Sequence, residues 1–146
     1  MKVAIGCDHA GLTLKNAVIE HLKQRGFEVN DCGTYDSASC HYPVFAQKVA
    51  EAVTSGAAEK GILVCGTGVG MSMAANKIKG IRAACVSDCF SAEATRAHND
   101  ANIVCFGQRV VGEGLALKIV DTFLDTKFEG GRHQIRIDMV NELDNK

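Results

Sequence analysis

Residues 62–72 have the sequence ILVCGTGVGMS, and this stretch decides the fold. Three branched apolar residues predict a short buried strand that ends at Cys65. Glycines then alternate at positions 66, 68 and 70, ahead of a run from about Met71 to Ile78 that is compatible with a helix. Alternating glycines allow tight turns in which successive N–H groups point at one place, so the loop is predicted to form an anion-binding nest.

Cys65 therefore stands beside a site for negative charge, and the N-terminus of the following helix adds partial positive charge there. The alternative is that Cys65 is a small buried strand residue before an ordinary turn. Spacing excludes three other loops. No lysine follows the last glycine as in a P-loop, the glycines are G-x-G-x-G rather than G-x-G-x-x-G, and position 71 is not the arginine of a cysteine phosphatase loop. The remaining interpretation is a thiol next to a backbone oxyanion hole.

Strands and helices are predicted to alternate along the chain. The strands are expected at residues 2–6, 27–32, 61–65, 82–86 and 103–107. The helices are expected around 14–22, 45–53, 71–78, 91–97, 116–124 and 132–143, with a polar loop over 33–43 that closes with Tyr42-Pro43. This alternation predicts a single domain, residues 1–146, with a three-layer Rossmann-like α/β fold: a five-stranded parallel sheet with helices on both faces and an extra C-terminal helix.

Composition excludes several classes of function. Lysine and arginine total 16 against 17 aspartate and glutamate, which argues against a nucleic-acid partner. No run of 18 apolar residues suits a membrane, and the N-terminal apolar stretch is too short for a secretion signal, so a cytoplasmic protein with no membrane partner is expected. The seven cysteines are then expected to be reduced thiols. Cys65, Cys85 and Cys105 recur every 20 residues, but zinc-type pairs are absent and no metal is expected.

Polar residues also follow other predicted strands, at the carboxyl edge where such sheets bind ligands. Asp8-His9, after the first strand, could orient a hydroxyl and hold an anion, or Asp8 could simply cap a helix. His98 ends the helix after the fourth strand, where it could shuttle a proton near neutral pH or only complement the helix dipole. Arg109 follows the fifth strand and brings a guanidinium to the same edge.

Arg132 and Arg136 are four residues apart and therefore share a helix face. That face continues through Met139, Val140 and Leu143, which are apolar and are expected to pack on protein. Two arginines at the head of such a stripe suit a phosphate or carboxylate group, held by paired hydrogen bonds. The alternative is that both form ion pairs with acidic neighbours.

Five features occur together: GCDHAG at residues 6–11, CGTGVG at residues 65–70, His98-Asn99, Arg109 and the pair Arg132/Arg136. In this combination the chain resembles the type B ribose-5-phosphate isomerases, which share a family with galactose-6-phosphate and allose-6-phosphate isomerases. The resemblance covers essentially the full length. It implies an aldose–ketose isomerase of pentose phosphate metabolism that needs no cofactor and interconverts ribose 5-phosphate and ribulose 5-phosphate.

The resemblance also implies roles for individual residues. Cys65 matches the general base that moves a proton between C1 and C2 of the open-chain sugar. His98 matches the residue that opens the furanose ring, with Asp8 as its counterpart. The loop matches the part that stabilises the cis-enediolate; it consists of Gly66, Thr67, Gly68, Val69 and Gly70, and Thr67 assists ring opening or proton movement on oxygen. The other substrate-binding positions are His9, Arg109, Arg132 and Arg136, which match phosphate ligands, together with Asn99 and Tyr42.

Members of that family are dimers, sometimes paired into tetramers, and each site is completed by the neighbouring subunit. A homodimer or tetramer is therefore expected here, with His98 and Asn99 crossing the boundary. Some relatives replace the cysteine by a glutamate elsewhere in the site, so Cys65 places this chain in the thiol branch. Three alternatives stay open: an isomerase for six-carbon sugar phosphates, a non-catalytic sugar-phosphate or nucleotide sensor on the same fold, and a redox-regulated thiol protein.

Overall fold

The computed structural model describes residues 1–146 and contains one five-stranded sheet. Its strands are β1 (Lys2–Cys7), β2 (Glu28–Asp31), β3 (Lys60–Cys65), β4 (Ala83–Cys85) and β5 (Ile103–Gly107). All neighbouring strands run parallel, in the order β2-β1-β3-β5-β4. The predicted five-stranded parallel sheet is confirmed, and its strands lie where the sequence predicts them.

Helices cover both faces of this sheet. The six α-helices are α1 (Leu12–Gln24), α2 (Tyr42–Thr54), α3 (Val69–Ala75), α4 (Cys89–Ala97), α5 (Glu113–Asp125) and α6 (Arg132–Glu142), with short 3₁₀ turns at His9–Gly11 and Leu143–Asn145. Residues of α1, α4 and α5 form the core on one face, and residues of α2 and α3 form the core on the other. The predicted three-layer α/β architecture is confirmed, with α6 as the additional C-terminal helix.

The three central strands are apolar because helices remove both of their faces from water. In β1, β3 and β5 every residue after the first is buried, and the first residue of β5 is buried as well. Continuous apolar strands of this kind are typical of parallel sheets, whereas alternation is typical of sheets with one wet face. Asp88 begins α4 by accepting a hydrogen bond from the Ser91 amide at 2.6 Å, and this start fixes where the helix delivers His98.

Five of the six helices begin two or three residues earlier than predicted, and two of these shifts change a predicted loop. Tyr42 and Pro43, expected to close a loop, form the first turn of α2, because proline there has the required φ and lacks only an N–H that would be unpaired. The α3 helix starts at Val69 and ends at Ala75, and beyond it Ile78 continues only as a three-residue turn.

The apolar stripe of α6 does not pack within the chain. Met139 is 63% exposed, Val140 50% and Leu143 61%, and Ile137 is the only buried residue of the helix. Within the single chain this face has no packing partner, and the expectation that it packs on protein stays a prediction about another chain. Polar contacts hold the helix instead, including those of Asn141 with Arg82 and of Asp144 with the Gly80 amide.

The order of the strands determines where a ligand can bind. β1 and β3 are neighbours, and the chain leaves them toward opposite edges of the sheet, so their carboxyl ends form a topological switch point. Open parallel sheets bind ligands in the crevice at this point. None of the helices combines the length and the apolar character needed to cross a membrane.

Candidate active site

The carboxyl ends of β1 and β3 bring Asp8, His9 and Cys65 to the same edge. The Asp8 amide donates to the Val64 carbonyl at 3.3 Å, which ties the two strand ends together. Asp8 is 9% exposed, and its carboxylate accepts a hydrogen bond from the Ala10 amide at 2.9 Å. Asp8 therefore caps a short turn, as one interpretation of the sequence expected, and it does so at the predicted site.

The loop after β3 wraps around the Cys65 sulfur. Gly68 has a φ of +83°, a left-handed conformation that glycine adopts without strain, and its amide donates to Sγ of Cys65 at 3.0 Å. The Val69 amide donates to the Thr67 hydroxyl at 3.3 Å. No protein group accepts from the amides of Gly66, Thr67 or Gly70. The loop is thus a nest with free N–H donors around a cysteine sulfur, as predicted.

Residues at the end of β5 pack against this nest and donate hydrogen bonds to it. A side chain at Gly107 would place its Cβ 2.4 Å from the Gly66 carbonyl oxygen, so the loop crosses β5 only because position 107 is glycine. The Gln108 amide donates to the Cys65 carbonyl at 2.9 Å, and the Arg109 amide to the Gly66 carbonyl at 3.0 Å. As a result, the Arg109 side chain lies against Gly66. A Cβ added to Gly66 would be 3.3 Å from Nη1 of Arg109.

Two further predicted residues complete the edge. The ring of Tyr42 covers Gly70, since a Cβ there would lie 2.6 Å from Cε1 of the ring. His9 is exposed, and its Nδ1 accepts a hydrogen bond from the Cys40 amide at 3.2 Å. We call the residues at this edge the nest group: Asp8, His9, Tyr42, Cys65, Gly66–Gly70 and Arg109.

Other thiols lie close to Cys65 but differ from it in their surroundings. Burial raises the pKa of Cys105 well above 9.0 and also raises that of Cys85, and the charge of Cys65 adds to both effects. On β1, burial raises the pKa of Cys7 to about 11. These three thiols are therefore held protonated. Among the seven cysteines, Cys65 alone accepts a hydrogen bond from an amide of the nest.

The remaining predicted residues form a second cluster between α4 and α6. Its centre is the His98 ring, which stacks on the His133 ring with centroids 4.4 Å apart and planes 14° apart. Glu129 lies 3.7 Å from Nε2 of both histidines. The Glu129 amide donates to the Ala97 carbonyl at 3.0 Å. This bond connects the residues before α6 to the end of α4. We call this cluster the helix group: His98, Asn99, Glu129, Arg132, His133 and Arg136.

The helix group carries an excess of positive charge. Desolvation lowers the pKa of His133 below its ordinary 6.5, and the charges of His98 and Arg132 lower it further. The ligand atoms of His98, Glu129 and His133 lie within 4.8 Å of one another, a donor set that zinc could use. However, in-plane lone pairs of two nearly parallel rings do not converge on one ion. The arrangement is a stacked pair of histidines that share a carboxylate.

The six arginines of the chain divide into two sets. Arg25, Arg82 and Arg96 each pair with an aspartate. The other three are exposed and form no ion pair or side-chain hydrogen bond: Arg109, Arg132 and Arg136. The unpaired set is the one that the sequence predicts to hold an anion, and the alternative of ion pairs with acidic neighbours is wrong.

The two groups are not joined within one chain. A cavity of about 560 Å³ is lined by His98, Asn99, His133 and Arg136, and by apolar residues such as Ile137, but by no residue of the nest group. No hydrogen bond of His98 reaches Asp8. Sequence reasoning missed Glu129 and His133, although their i,i+4 spacing and the arginines flanking His133 were available as a signal.

Comparison with known proteins identifies the family. A model of the Ribose/Galactose Isomerase family matches residues 3–140. Ribose-5-phosphate isomerase B of Escherichia coli K12 is 50% identical over 145 residues, covering 99% of this chain and 97% of that protein. The structure of ribose-5-phosphate isomerase B from Clostridium thermocellum has a TM-score of 0.98 and 52% identity, covering 99% of this chain and 98% of that one.

A third relative was solved with a ligand. It is ribose-5-phosphate isomerase B from Mycoplasma genitalium with bound ribulose 5-phosphate, which has a TM-score of 0.95 and 46% identity, covering 99% of this chain and 97% of that one. The similarity in all three cases spans almost the whole chain. The chain therefore belongs to the ribose/galactose isomerase family, and it is an isomerase of the intramolecular oxidoreductase class.

Proposed function

We propose that this isomerase interconverts ribose 5-phosphate and ribulose 5-phosphate, with Cys65 as the general base. The observation that carries the proposal is the nest: Sγ of Cys65 accepts the Gly68 amide at 3.0 Å, while the amides of Gly66, Thr67 and Gly70 have no acceptor in the chain. The names of the similar proteins, and the ribulose 5-phosphate bound in one of them, support the choice of substrate.

The chemistry needs a base and an oxyanion site at one place. In the open-chain sugar, the Cys65 thiolate removes the proton from C2, and negative charge develops on O1 of the resulting enediolate. Free N–H groups of the nest stabilise that charge. The thiol then returns the proton to C1, while the proton of the O2 hydroxyl moves to O1, assisted by the Thr67 hydroxyl. The Gly68 amide stabilises the thiolate before the first step and after the last.

In this proposal, the three arginines that form no ion pair bind the phosphate group of the substrate. A sugar phosphate carries about two negative charges at neutral pH, and guanidinium groups bind such anions through paired hydrogen bonds. Arg109 belongs to the nest group, whereas Arg132 and Arg136 belong to the helix group. A phosphate that contacts all three must therefore lie between the two groups, with His9 as a further donor.

Ring opening comes before proton transfer. Opening a furanose requires a proton on the ring oxygen and removal of the proton from the O1 hydroxyl, so a histidine and a carboxylate on opposite sides of the sugar are suited to it. His98 and Asp8 are those residues in this proposal. Asp8 belongs to the nest group and His98 to the helix group. Asn99, next to His98 in the sequence, binds the substrate.

We further propose that the active protein is at least a homodimer, in which the nest group of one copy faces the helix group of another. The exposed apolar residues of α6 support this assembly, since contiguous exposed apolar surface is typical of interfaces between chains. The cavity of about 560 Å³ lies beside the same helix and is lined by His98 and Arg136 but not by Cys65, so within a single chain it offers phosphate ligands without the thiol.

Proton exchange in deuterated water tests the chemistry. With ribose 5-phosphate as substrate, we expect Cys65→Ser to lower kcat by about 10²–10⁴-fold and to abolish solvent exchange of the C2 proton, while phosphate-ligand binding persists. The matched control is Cys89→Ser, a partly buried cysteine outside both groups, which should keep wild-type exchange. Retained exchange in Cys65→Ser would remove Cys65 from the role of base.

The same assay separates the alternatives. A sugar-phosphate sensor on this fold would bind ribose 5-phosphate stoichiometrically without exchanging its C2 proton. An isomerase for six-carbon sugars would have a higher kcat/KM for allose 6-phosphate than for ribose 5-phosphate. We expect wild-type protein to exchange the C2 proton and to prefer the five-carbon substrate.

A further inference from the structure

His9 is held by a backbone group rather than by another side chain. The Cys40 amide donates to Nδ1 of His9 at 3.2 Å. A backbone N–H can only donate, so Nδ1 must supply a lone pair. In the neutral imidazole one nitrogen carries the proton and the other accepts. The proton of His9 is therefore on Nε2, and the ring presents an N–H donor away from Cys40.

The segment that carries Cys40 is fixed at its start by a buried lysine. Residues 32–41 contain no helix or strand. Lys15 has no exposed surface, and its Nζ lies 2.6 Å from the Asp31 carboxylate and 2.8 Å from the Thr34 carbonyl. The Thr34 amide donates in turn to the carbonyl of Cys7, at the end of β1, at 2.9 Å. The segment therefore leaves the sheet from a fixed point beside His9.

The other end of the segment is equally fixed. Tyr42 begins α2, whose Ala46, Val49 and Ala50 are fully buried against the sheet. Cys40 thus lies two residues before a packed helix, and its amide has a defined position relative to His9. The Cys40 thiol is 3.8 Å from the same Nδ1, a distance at which it adds little to the bond from the amide.

We propose that Cys40 is a positioning residue, whose backbone amide fixes His9 as the tautomer with its proton on Nε2. The proposal rests on the proposed function, in which His9 contacts the phosphate. A phosphate dianion offers only acceptors, so it binds this tautomer through Nε2–H, whereas the opposite tautomer would turn a lone pair toward it. The backbone amide makes this choice of tautomer before the ligand arrives.

Nitrogen NMR of the wild-type protein tests the tautomer directly. We expect Nδ1 of His9 to have the shift of an unprotonated ring nitrogen and Nε2 that of a protonated one, with a through-hydrogen-bond coupling between Nδ1 and the Cys40 amide nitrogen. Addition of inorganic phosphate should shift Nε2 and its proton. A protonated Nδ1, or a His9 ring that does not respond to phosphate, would overturn the proposal.

Two substitutions at one position separate the amide from the thiol. Cys40→Ala removes the thiol and keeps the N–H, so the coupling and the Kd for phosphate should stay within about twofold of wild type. Cys40→Pro removes the N–H, and we expect the coupling to vanish and phosphate to bind about tenfold more weakly. Unchanged phosphate affinity in a folded Cys40→Pro protein, or a loss of affinity in Cys40→Ala, would contradict the role of the amide.

This experiment does not depend on turnover. If wild-type protein failed to exchange the C2 proton of ribose 5-phosphate, the proposed function would be wrong, while the ring shifts and phosphate affinities would still decide the role of Cys40. A shift of His9 by phosphate that depends on the Cys40 amide would then support the inference for a phosphate site without isomerase chemistry.

Discussion

The nest group and the helix group differ in how firmly one chain holds them. Backbone hydrogen bonds and close glycine contacts fix the nest, because its loop crosses the end of β5 at Gly107. The helix group consists mostly of exposed side chains at or near the ends of two helices, with His133 partly buried, and the ion pairs of Glu129 with the two histidines are 3.7 Å long. Proton abstraction requires fixed geometry, and the nest group has it. In the proposed dimer, the nest group of another copy faces the helix group.

Mixed dimers test this division most strongly. One chain carries Cys65→Ser and has a damaged nest group, and the other carries His98→Ala with Arg136→Ala and has a damaged helix group. Each parent alone should be inactive. A purified mixed dimer contains one site built from two undamaged halves, so we expect about half of the wild-type activity per dimer. The measurement is isomerase activity after separation of the three dimers by distinct affinity tags.

The opposite result has an equally clear meaning. If both halves of a site came from one chain, every site in the mixed dimer would be damaged and the activity would stay at the level of the parents. A mixed dimer of two wild-type chains with the same tags provides the control for tagging and separation.

Gly68→Ala should distort the nest group. At φ +83° a side chain is strained, and its Cβ would lie 2.8 Å from backbone atoms of Phe106. We expect a loss of stability of about 1–3 kcal/mol from the backbone strain, and a loss of kcat of about 10²-fold or more because the donors of the nest move. Thermal unfolding and steady-state kinetics measure the two effects.

Gly114→Ala is the matched control. Gly114 lies in α5 with no atom within 4 Å of its potential Cβ. Alanine in a helix is favoured over glycine by about 1 kcal/mol, so this variant should unfold at the same or a higher temperature and keep its activity. A Gly68→Ala protein that behaved like Gly114→Ala would show that the nest is not rigid.

The same difference explains what sequence alone could predict. The nest is one contiguous motif, and its glycines and its preceding strand specify it locally, so the turn around the Cys65 sulfur agrees with the prediction, although the helix begins two residues earlier than expected. The meeting of His98 with Glu129 and His133 depends on one backbone bond from Glu129 to Ala97, across 32 residues, and no local pattern encodes that bond. The apolar face of α6 is a related case, since periodicity shows that a face is apolar but not which molecule covers it.

Arg136→Ala should weaken the helix group without affecting the base. Loss of charge-assisted hydrogen bonds to phosphate is expected to raise KM for ribose 5-phosphate about 10- to 100-fold, with a smaller change in kcat. Arg25→Ala is the matched control, because Arg25 pairs with Asp121 and Asp125 and should affect stability slightly and KM not at all. Equal effects of the two substitutions on KM would contradict the assignment of Arg136 to phosphate.

The smallest effect that we expect is a change in the pKa of His133 when phosphate binds. Desolvation lowers this pKa below 6.5, and the positive charges of His98 and Arg132 lower it further. Between that lowered value and 6.5, the unfolded chain binds more protons at this residue than the folded chain, so its contribution to stability falls as pH drops below 6.5. Phosphate bound by the arginines adds negative charge and should raise the pKa of His133 back toward 6.5.

An NMR titration of the His133 ring with and without inorganic phosphate measures this shift, and sodium chloride at equal ionic strength controls for screening. Arg136→Ala should abolish the part of the shift that depends on phosphate, while Arg25→Ala should leave it intact. An identical pKa with and without phosphate would mean that the anion binds away from the helix group. The three unpaired arginines would then need a different explanation from the one that unites the two halves of the site.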